Sequence, residues 1–279
     1  MLLPQFTVDD IIKTALEEDI HYIDTTTDLM IPEDARATAR FMAKADGVLC
    51  GMDVALRVFA LLDPTFTAAV EKRDGYAVHP GDLLATVEGN TRFLLKGERT
   101  ALNLLQHMSG IATATARAVK LVEGTRASIA DTRKTLPGLR PLQKYAVTVG
   151  GGRNHRYNLS DGAMLKDNHI DAAGGIAAAV AAIRGKLGHI VKLEVETRNL
   201  DEVRQALDAG ADVIMLDNMS CEQMREAVQT VAGRVPLEAS GGITDDTLRA
   251  VAETGVDIIS VGALTHSVKA LDISMKIQN

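Results

Sequence analysis

From residue 127 onward, short aliphatic runs alternate with segments whose apolar positions recur at helical spacing. The strand candidates are 127–132 (ASIADT), 162–168 (GAMLKDN), 190–196 (IVKLEVE), 211–218 (ADVIMLDN), 235–242 (VPLEASGG) and 256–263 (VDIISVGA). Helical stretches separate most of them, at 172–188, 199–210, 220–233 and 244–255, several opening on Asn, Ser or Thr and closing on Gly. A strand–helix repeat of this kind builds a parallel sheet. One residue at each strand end, Lys166, Glu196, Asp217, Ser240 and Gly262, falls at intervals of 30, 21, 23 and 22 residues. So even a spacing favours a closed α/β barrel over an open doubly wound sheet. Six units against the eight of a full barrel predict a small or incomplete one.

The first hundred residues carry a different pattern. Residues 6–20 are amphipathic at helical spacing, as is DVALRVFALL at 53–62. Strand-like runs (ATARFMAKA, TFTAAVEKR, LLATVEG and RFLLKG) fill much of 35–98, with turns at Asp74-Gly75 and Pro80-Gly81. This is an α+β arrangement, strands covered on one face by helices. From Glu98 to Val122 a proline-free amphipathic stretch predicts a helix leading from one domain to the next, with a break expected near Ser109-Gly110.

Composition narrows the class. The chain has 279 residues, 46% of them apolar, and a net charge of −7. It is long enough for one large barrel or two smaller units, each with its own core. No run approaches the roughly 18 apolar residues of a membrane helix, and MLLPQFTVDD reaches two aspartates before any signal-like core forms, so a cytoplasmic protein with no membrane partner is expected. The two cysteines, Cys50 and Cys221, lack the spacing of a disulfide framework or zinc site and read as small apolar residues. The acidic balance speaks against nucleic acid.

Charge is far from even, however. Residues 131–166 carry Arg133, Lys134, Arg140, Lys144, Arg153, Arg156 and Lys166 against Asp131 and Asp161, a local +5 within 36 residues. A basic run is often only a solvated face. Here the cations alternate with Gly and Pro around strand ends, where a barrel keeps its active site, and lack the interleaved aromatics of a nucleic-acid surface. A pocket for a small polyanion is the expectation. Asp131, Arg133 and Lys134, then Lys166, Asp167 and Asn168, then Glu196, then Asp217 and Asn218, then Ser240-Gly241-Gly242 and the Val261-Gly262-Ala263 turn are its strand-end candidates, with Thr132 expected beside Arg133 as a substrate contact. Ser240-Gly241-Gly242 precedes a helix and the Val261-Gly262-Ala263 turn lies in the next unit, a pairing that recurs at barrel phosphate sites, although a Gly-Gly alone is equally a tight turn. GGGR at 150–153 reads equally as a flexible loop or a ligand contact. His155 has no second His or Cys at ligand spacing, which favours anion contact beside Arg156 over metal ligation. Lys134 and Lys166 lie among charged groups rather than in the apolar pocket of an imine-forming lysine, and so read as anion clamps.

The segments GERTALNLLQHMSGIAT (97–113), DTRKTLPGLRPLQKYAV (131–147), GGGRNHRYNLSDGAMLKDNHI (150–170), LEVE (193–196), IMLDN (214–218), EASGGI (238–243) and GVDIISVGALTHS (255–267) closely resemble the quinolinate phosphoribosyltransferase family. The resemblance implies an N-terminal α/β sandwich over 1–110, joined by the tail 268–279, and an incomplete α/β barrel over 111–267. It also implies a homodimer or a higher assembly of it, in which Arg99 reaches the neighbour's site. By the same resemblance Arg133, Lys134, His155, Arg156 and Lys166 meet quinolinate and pyrophosphate, Glu196 and Asp217 meet the ribose hydroxyls and Mg2+, largely through substrate and water, and Ser240, Gly241, Gly242 and Gly262 meet the 5′-phosphate. The implied reaction joins quinolinate to phosphoribosyl pyrophosphate with loss of CO2 and needs no organic cofactor. Lys134, Lys166, Glu196 and Asp217 are the expected catalytic set. Alternatives are a molybdenum-associated homologue of the same transferase family with another acceptor, a Schiff-base lyase using Lys166, and a non-catalytic phosphometabolite-binding protein.

Overall fold

The computed structural model describes residues 3–278; the ends of the expected domain ranges, residues 1, 2 and 279, lie outside them. In chain order the first elements are α1 (Gln5–Asp19), α2 (Thr25–Met30), β1 (Arg36–Ala43), β2 (Gly47–Val48), α3 (Met52–Leu62), β3 (Thr67–Val70), β4 (Ala77–Val78), β5 (Leu83–Asn90) and α4 (Thr91–Leu121). Then follow β6 (Ser128–Ala130), α5 (Arg140–Val149), β7 (Ala163–Leu165), α6 (Asp167–Ala173), α7 (Ile176–Arg184), β8 (Leu193–Thr197) and α8 (Leu200–Asp208). The last are β9 (Val213–Asp217), α9 (Cys221–Val231), β10 (Leu237–Ser240), α10 (Asp245–Ala252), β11 (Ile258–Ser260), α11 (Ala263–His266) and β12 (Ile273–Gln278). Among the described residues they form two compact units, one of 3–116, Thr135–Gly151 and 264–278, the other of Arg117–Lys134 and Gly152–Ala263.

In the first unit an antiparallel sheet runs in the order β12-β1-β5-β3. Strand β1 alternates, burying Ala37, Ala39, Phe41 and Ala43. These pack with Val58 and Phe59 of α3; the Phe59 ring meets Phe41 edge-on at 6.1 Å and stacks on Phe66 at 5.7 Å. RFLLKG, read as strand-like, is instead the first turns of α4: Asn90 Oδ1 accepts from the Arg92 N–H at 2.9 Å, and Leu94, Ala101, Leu105 and Met108 are buried at helical spacing.

Helix α4 is also unbroken at Ser109-Gly110. Ser109 Oγ accepts from the Cys50 N–H and donates to the Cys50 carbonyl, while Thr113 Oγ1 accepts from the Val48 N–H, so these polar residues serve a neighbouring loop rather than a bend. Gly110 is needed for close approach, since a Cβ there would lie 2.3 Å from the Lys269 carbonyl oxygen. Gly110→Ala is therefore expected to lower stability by about 1–3 kcal/mol despite alanine's better helix propensity, a loss read by urea unfolding. Cys50 is buried and Cys221 half-buried, and both are free thiols.

The second unit holds a six-stranded parallel sheet in the order β6-β11-β10-β9-β8-β7. All six predicted strands are present. The ring is open between β6 and β7, which do not pair, giving the incomplete barrel that the count of six predicted. Leu193 and Val195, Ile214 and Leu216, Leu237 and Ala239 are buried, as are Val203 and Ala206 of α8, Met224 and Ala227 of α9, and Leu248 and Val251 of α10. Of the helix predicted over 172–188, 176–184 forms α7, while 172 and 173 end α6, a helix that begins at Asp167 within the predicted strand 162–168; Gly174 and Gly175, both at positive φ, separate the two.

One segment departs from the expected domain ranges. Residues 135–151 lie within 111–267 yet belong to the first unit. Helix α5 places a proline in its first turn and buries Leu142, Ala146 and Val147 in that unit's core. Gly150 is packing rather than loop or ligand contact: a Cβ there would meet the Ala112 carbonyl oxygen at 2.5 Å.

Candidate active site

A pocket of about 380 Å³ opens in the second unit, lined from the C-terminal ends of its strands. That volume suits a small-molecule ligand. Its walls repeat a two-residue period: Met164 from β7 and Lys166 just after it, Glu196 from β8, Met215 and Asp217 from β9, Glu238 and Ser240 from β10, and Ser260 from β11. Residues i and i+2 of a strand share a face, so one face of each strand supplies the pocket while the intervening aliphatic residues are buried.

Cations come from the strands that flank the opening in the sheet. Arg133 and Lys134 follow β6, His155 and Arg156 lie on the segment before β7, and Lys166 follows β7 as the N-cap of α6; all five line the pocket, with Thr132. The turn after β6 is set by Thr132 Oγ1, which accepts from the Lys134 N–H at 3.0 Å. Asp131, fully buried, accepts from the Asn154 side chain at 2.6 Å and the His155 N–H at 2.9 Å, fixing the second cationic segment to the first. Arg156 Nη1 donates to the Gly162 carbonyl at 2.8 Å, while burial and the like charge of Arg133 press its pKa below the usual arginine value. Arg133 Nε is buried without a hydrogen-bond partner. Two guanidiniums crowded together, one with an unmet donor, suit an anionic ligand.

Of the other cations in the basic stretch, Arg140 and Lys144 sit on α5 of the first unit, and Arg153 does not line the pocket. The local charge therefore overstated the pocket, which takes four of the seven Arg and Lys residues.

The middle strands β8, β9 and β10 supply carboxylates. Burial raises the Glu196 pKa; Lys166, 3.6 Å away through Nζ, lowers it, and the charge of Asp217 raises it again. Asp217 accepts from the Asn218 side chain at 2.9 Å. Asn218 is one of two non-glycine residues with positive φ among those described. Gly241, at φ +94°, packs against it so closely that a Cβ would lie 2.3 Å from Asn218 Oδ1.

Deeper in, His155 Nε2 lies 3.0 Å from Glu194 Oε2 and 3.6 Å from Glu238 Oε1. Its Nδ1 accepts from the Arg156 N–H at 2.7 Å. Both ring nitrogens thus face protein groups, and His155 lines the pocket beside Arg156. Glu194 and Glu238 are 8% and 3% exposed, and each has an Oε1 with no hydrogen-bond partner; Ser260 Oγ shares that condition. Leaving such groups unmet costs about 1–3 kcal/mol each, which marks a functional floor rather than a core.

Among the candidates, Thr132, Arg133, Lys134, His155, Arg156, Lys166, Glu196, Asp217 and Ser240 converge on the pocket. Gly241 and Gly242 continue from Ser240 toward α10, and Val261, Gly262 and Ala263 follow Ser260; none of these five is a lining residue. Arg99 is an exposed residue of α4 in the first unit and is not a lining residue either. Sequence reading missed Glu238, Ser260, Met164 and Met215, together with Glu194 behind them. The signal was present, because Glu238 stands two residues before Ser240 and Glu194 two before Glu196.

The family models Quinolinate phosphoribosyl transferase, N-terminal domain, and Quinolinate phosphoribosyl transferase, C-terminal domain, match residues 24–109 and 111–276. The chain is 45% identical over 275 residues to the nicotinate-nucleotide pyrophosphorylase (carboxylating) of Mycobacterium leprae, covering 95% of each chain. It is 42% identical to the quinolinate phosphoribosyltransferase (decarboxylating) 2b, mitochondrial, of Nicotiana tabacum, over 98% of this chain and 83% of that protein. The crystal structure of NadC from Streptococcus pyogenes superposes with a TM-score of 0.96 at 44% identity, covering 100% of this chain and 99% of that one. On these matches, along the length of both structural units, the chain belongs to the quinolinate phosphoribosyltransferase family.

Proposed function

We propose that the protein transfers the 5-phosphoribosyl group of phosphoribosyl pyrophosphate to the ring nitrogen of quinolinate, releasing pyrophosphate and CO2 and leaving nicotinate mononucleotide for NAD synthesis. The observation that carries this reading is the division of one pocket into a cationic side, Arg133, Lys134, Arg156 and Lys166, and a carboxylate side, Glu196 and Asp217. Quinolinate is a dicarboxylate and the departing pyrophosphate is a polyanion, so both suit the first side. Ribose C1 gains positive charge as the bond to pyrophosphate lengthens, which suits the second. Lys134 and Arg133 hold the leaving group, Arg156 and Lys166 orient the acceptor, and Glu196 and Asp217 face the ribose. Ser240, Gly241 and Gly242, with Val261, Gly262 and Ala263, take the 5′-phosphate.

Mg2+ is part of the proposal. Glu196 and Asp217 fit it, since the charge of Asp217 disfavours ionisation of Glu196 and a dication between them removes that penalty. When bound, the ion neutralises pyrophosphate charge. With two protein carboxylates available, substrate and water oxygens complete its shell. No organic cofactor is needed, because the cationic ring nitrogen of the mononucleotide accepts the electrons released by decarboxylation.

A cytoplasmic homodimer with shared sites is the accompanying proposal. It is supported by Arg99, exposed on α4 and outside the pocket of its own chain. No helix among the described residues is long and apolar enough to cross a membrane. The lyase alternative is disfavoured by Lys166, which stands half-exposed in an ion pair with Glu196 rather than in a water-poor pocket. With Mg2+ and phosphoribosyl pyrophosphate, pyrophosphate release is expected with quinolinate as acceptor and not with nicotinate; the reverse preference overturns the assignment.

A further inference from the structure

Replacing a ring carboxylate by hydrogen requires a proton. The carbon–carboxylate bond breaks with its electron pair passing to the ring carbon beside the cationic nitrogen, and that carbon takes up a proton as CO2 departs, so CO2 loss depends on the donor. Neither substrate brings a proton donor to this position, and the cationic lining residues are engaged with anions in the transferase reading, on which this inference rests. The floor of the pocket holds a group able to supply that proton.

We propose that Glu238, in its carboxylic acid form, is the proton donor to the ring carbon that loses its carboxylate, with Glu194 and His155 holding it in that form. Glu238 lines the pocket, is almost fully buried, and has an Oε1 that accepts no hydrogen bond from the described residues. Its nearest ionisable neighbours are Glu194 and His155, whose ligating atoms lie with its own within 4.8 Å of one another. Two buried carboxylates so close share a proton more readily than they carry two charges. Because His155 Nδ1 accepts from a backbone N–H, its Nε2 is the protonated nitrogen; that N–H donates to Glu194, 3.0 Å away, and stands 3.6 Å from Glu238, beyond hydrogen-bond reach. The proton is thereby left to Glu238, the member that faces the pocket.

The surroundings agree. Burial and then the charge of Glu194 push Glu238 up to about 7, with His155 opposing the rise. The other faces toward the pocket are Met164 and Met215, which are neutral, and Arg133 and Arg156 on the cationic side. In the step itself the Glu238 O–H bond breaks as the new C–H bond forms, leaving a carboxylate that regains its proton from solvent once the product leaves. The step balances without an oxidant or a reductant.

The experiment compares pyrophosphate and CO2 from quinolinate, phosphoribosyl pyrophosphate and Mg2+ in the wild-type protein and in Glu238→Gln. In the variant the ratio of CO2 to pyrophosphate is expected to fall at least about tenfold, with a dicarboxylated mononucleotide accumulating. A purely structural role lowers both products together and keeps the ratio near one; that result overturns the proposal. Wild-type protein that releases no pyrophosphate contradicts the transferase reading instead. Should Glu238→Gln fail to fold, the wild-type pH profile decides. The acid form is lost as pH rises through about 7, so the single-turnover rate of CO2 formation must fall relative to pyrophosphate release between about pH 6 and about pH 9, and a constant ratio of the two rates refutes the role.

Discussion

Arg133→Ala and Lys134→Ala are each expected to reduce kcat by about 10²–10³-fold while leaving the thermal midpoint nearly unchanged. The size follows from what the two cations do, since a preorganised positive charge facing negative charge that develops on a leaving group contributes on this scale. The small stability effect follows from position. Lys134 is exposed, and Arg133 is half-buried with an Nε that donates no hydrogen bond among the described residues. Arg133→Lys separates charge from geometry. It retains the positive charge but loses the planar fork, so it should recover part of the loss and not all of it. Steady-state kinetics beside a melting curve tests all three variants, and wild-type turnover in either alanine variant counts against the cationic side as the leaving-group site.

The second large effect belongs to the carboxylate side. Asp217→Asn and Glu196→Gln are expected to lower turnover by a further ~10²–10³-fold each, as loss of charge beneath a cationic transition state does. Their pH dependence makes the expectation specific. Glu196 acts as the anion and its pKa is raised, chiefly by burial, so activity should fall as pH drops through that raised value. Asp217 is one of the causes that raise it, so residual activity in Asp217→Asn should persist to lower pH than in the wild type. Lys166 lowers it, so Lys166→Met should move the acid limb upward. An acid limb that stays fixed in both variants would show that Glu196 is not the group being titrated.

Much of this arrangement was legible in the chain alone. The even spacing of Lys166, Glu196, Asp217, Ser240 and Gly262 predicted parallel strands ending at one mouth, and the strands lie where that spacing put them. Such regularity is visible because each βα unit repeats nearly the same length of chain. What escaped notice had physical reasons. RFLLKG has the composition of a strand, but its helical state is set by the Asn90 cap and by burial against α3, which a local window does not contain. The excursion of 135–151 into the first unit depends on what Leu142, Ala146 and Val147 pack against, again a tertiary fact. Glu194 and Glu238 were passed over because acidic residues inside a strand are expected at its end or on a solvated face. In this barrel the inner face carries charged side chains below its rim as well as at it.

Arg99 shows another limit. Its assignment to a neighbour's site came from family resemblance, and nothing in its own local sequence distinguishes it from a solvated helix arginine. The glycines after Ser240 gained a reason of a different kind: Gly241 is fixed by its contact with Asn218, so its identity follows from the packing of two strand-end turns even before any phosphate is considered.

The measurement that bears most directly on the central claim uses quinolinate isotopically labelled in the carboxylate adjacent to the ring nitrogen, incubated with the protein, Mg2+ and phosphoribosyl pyrophosphate. The label is expected to appear as CO2 in a one-to-one ratio with pyrophosphate, and the nucleotide formed is expected to carry none. Label retained in the final nucleotide, or pyrophosphate released without dependence on quinolinate, would contradict the transferase assignment.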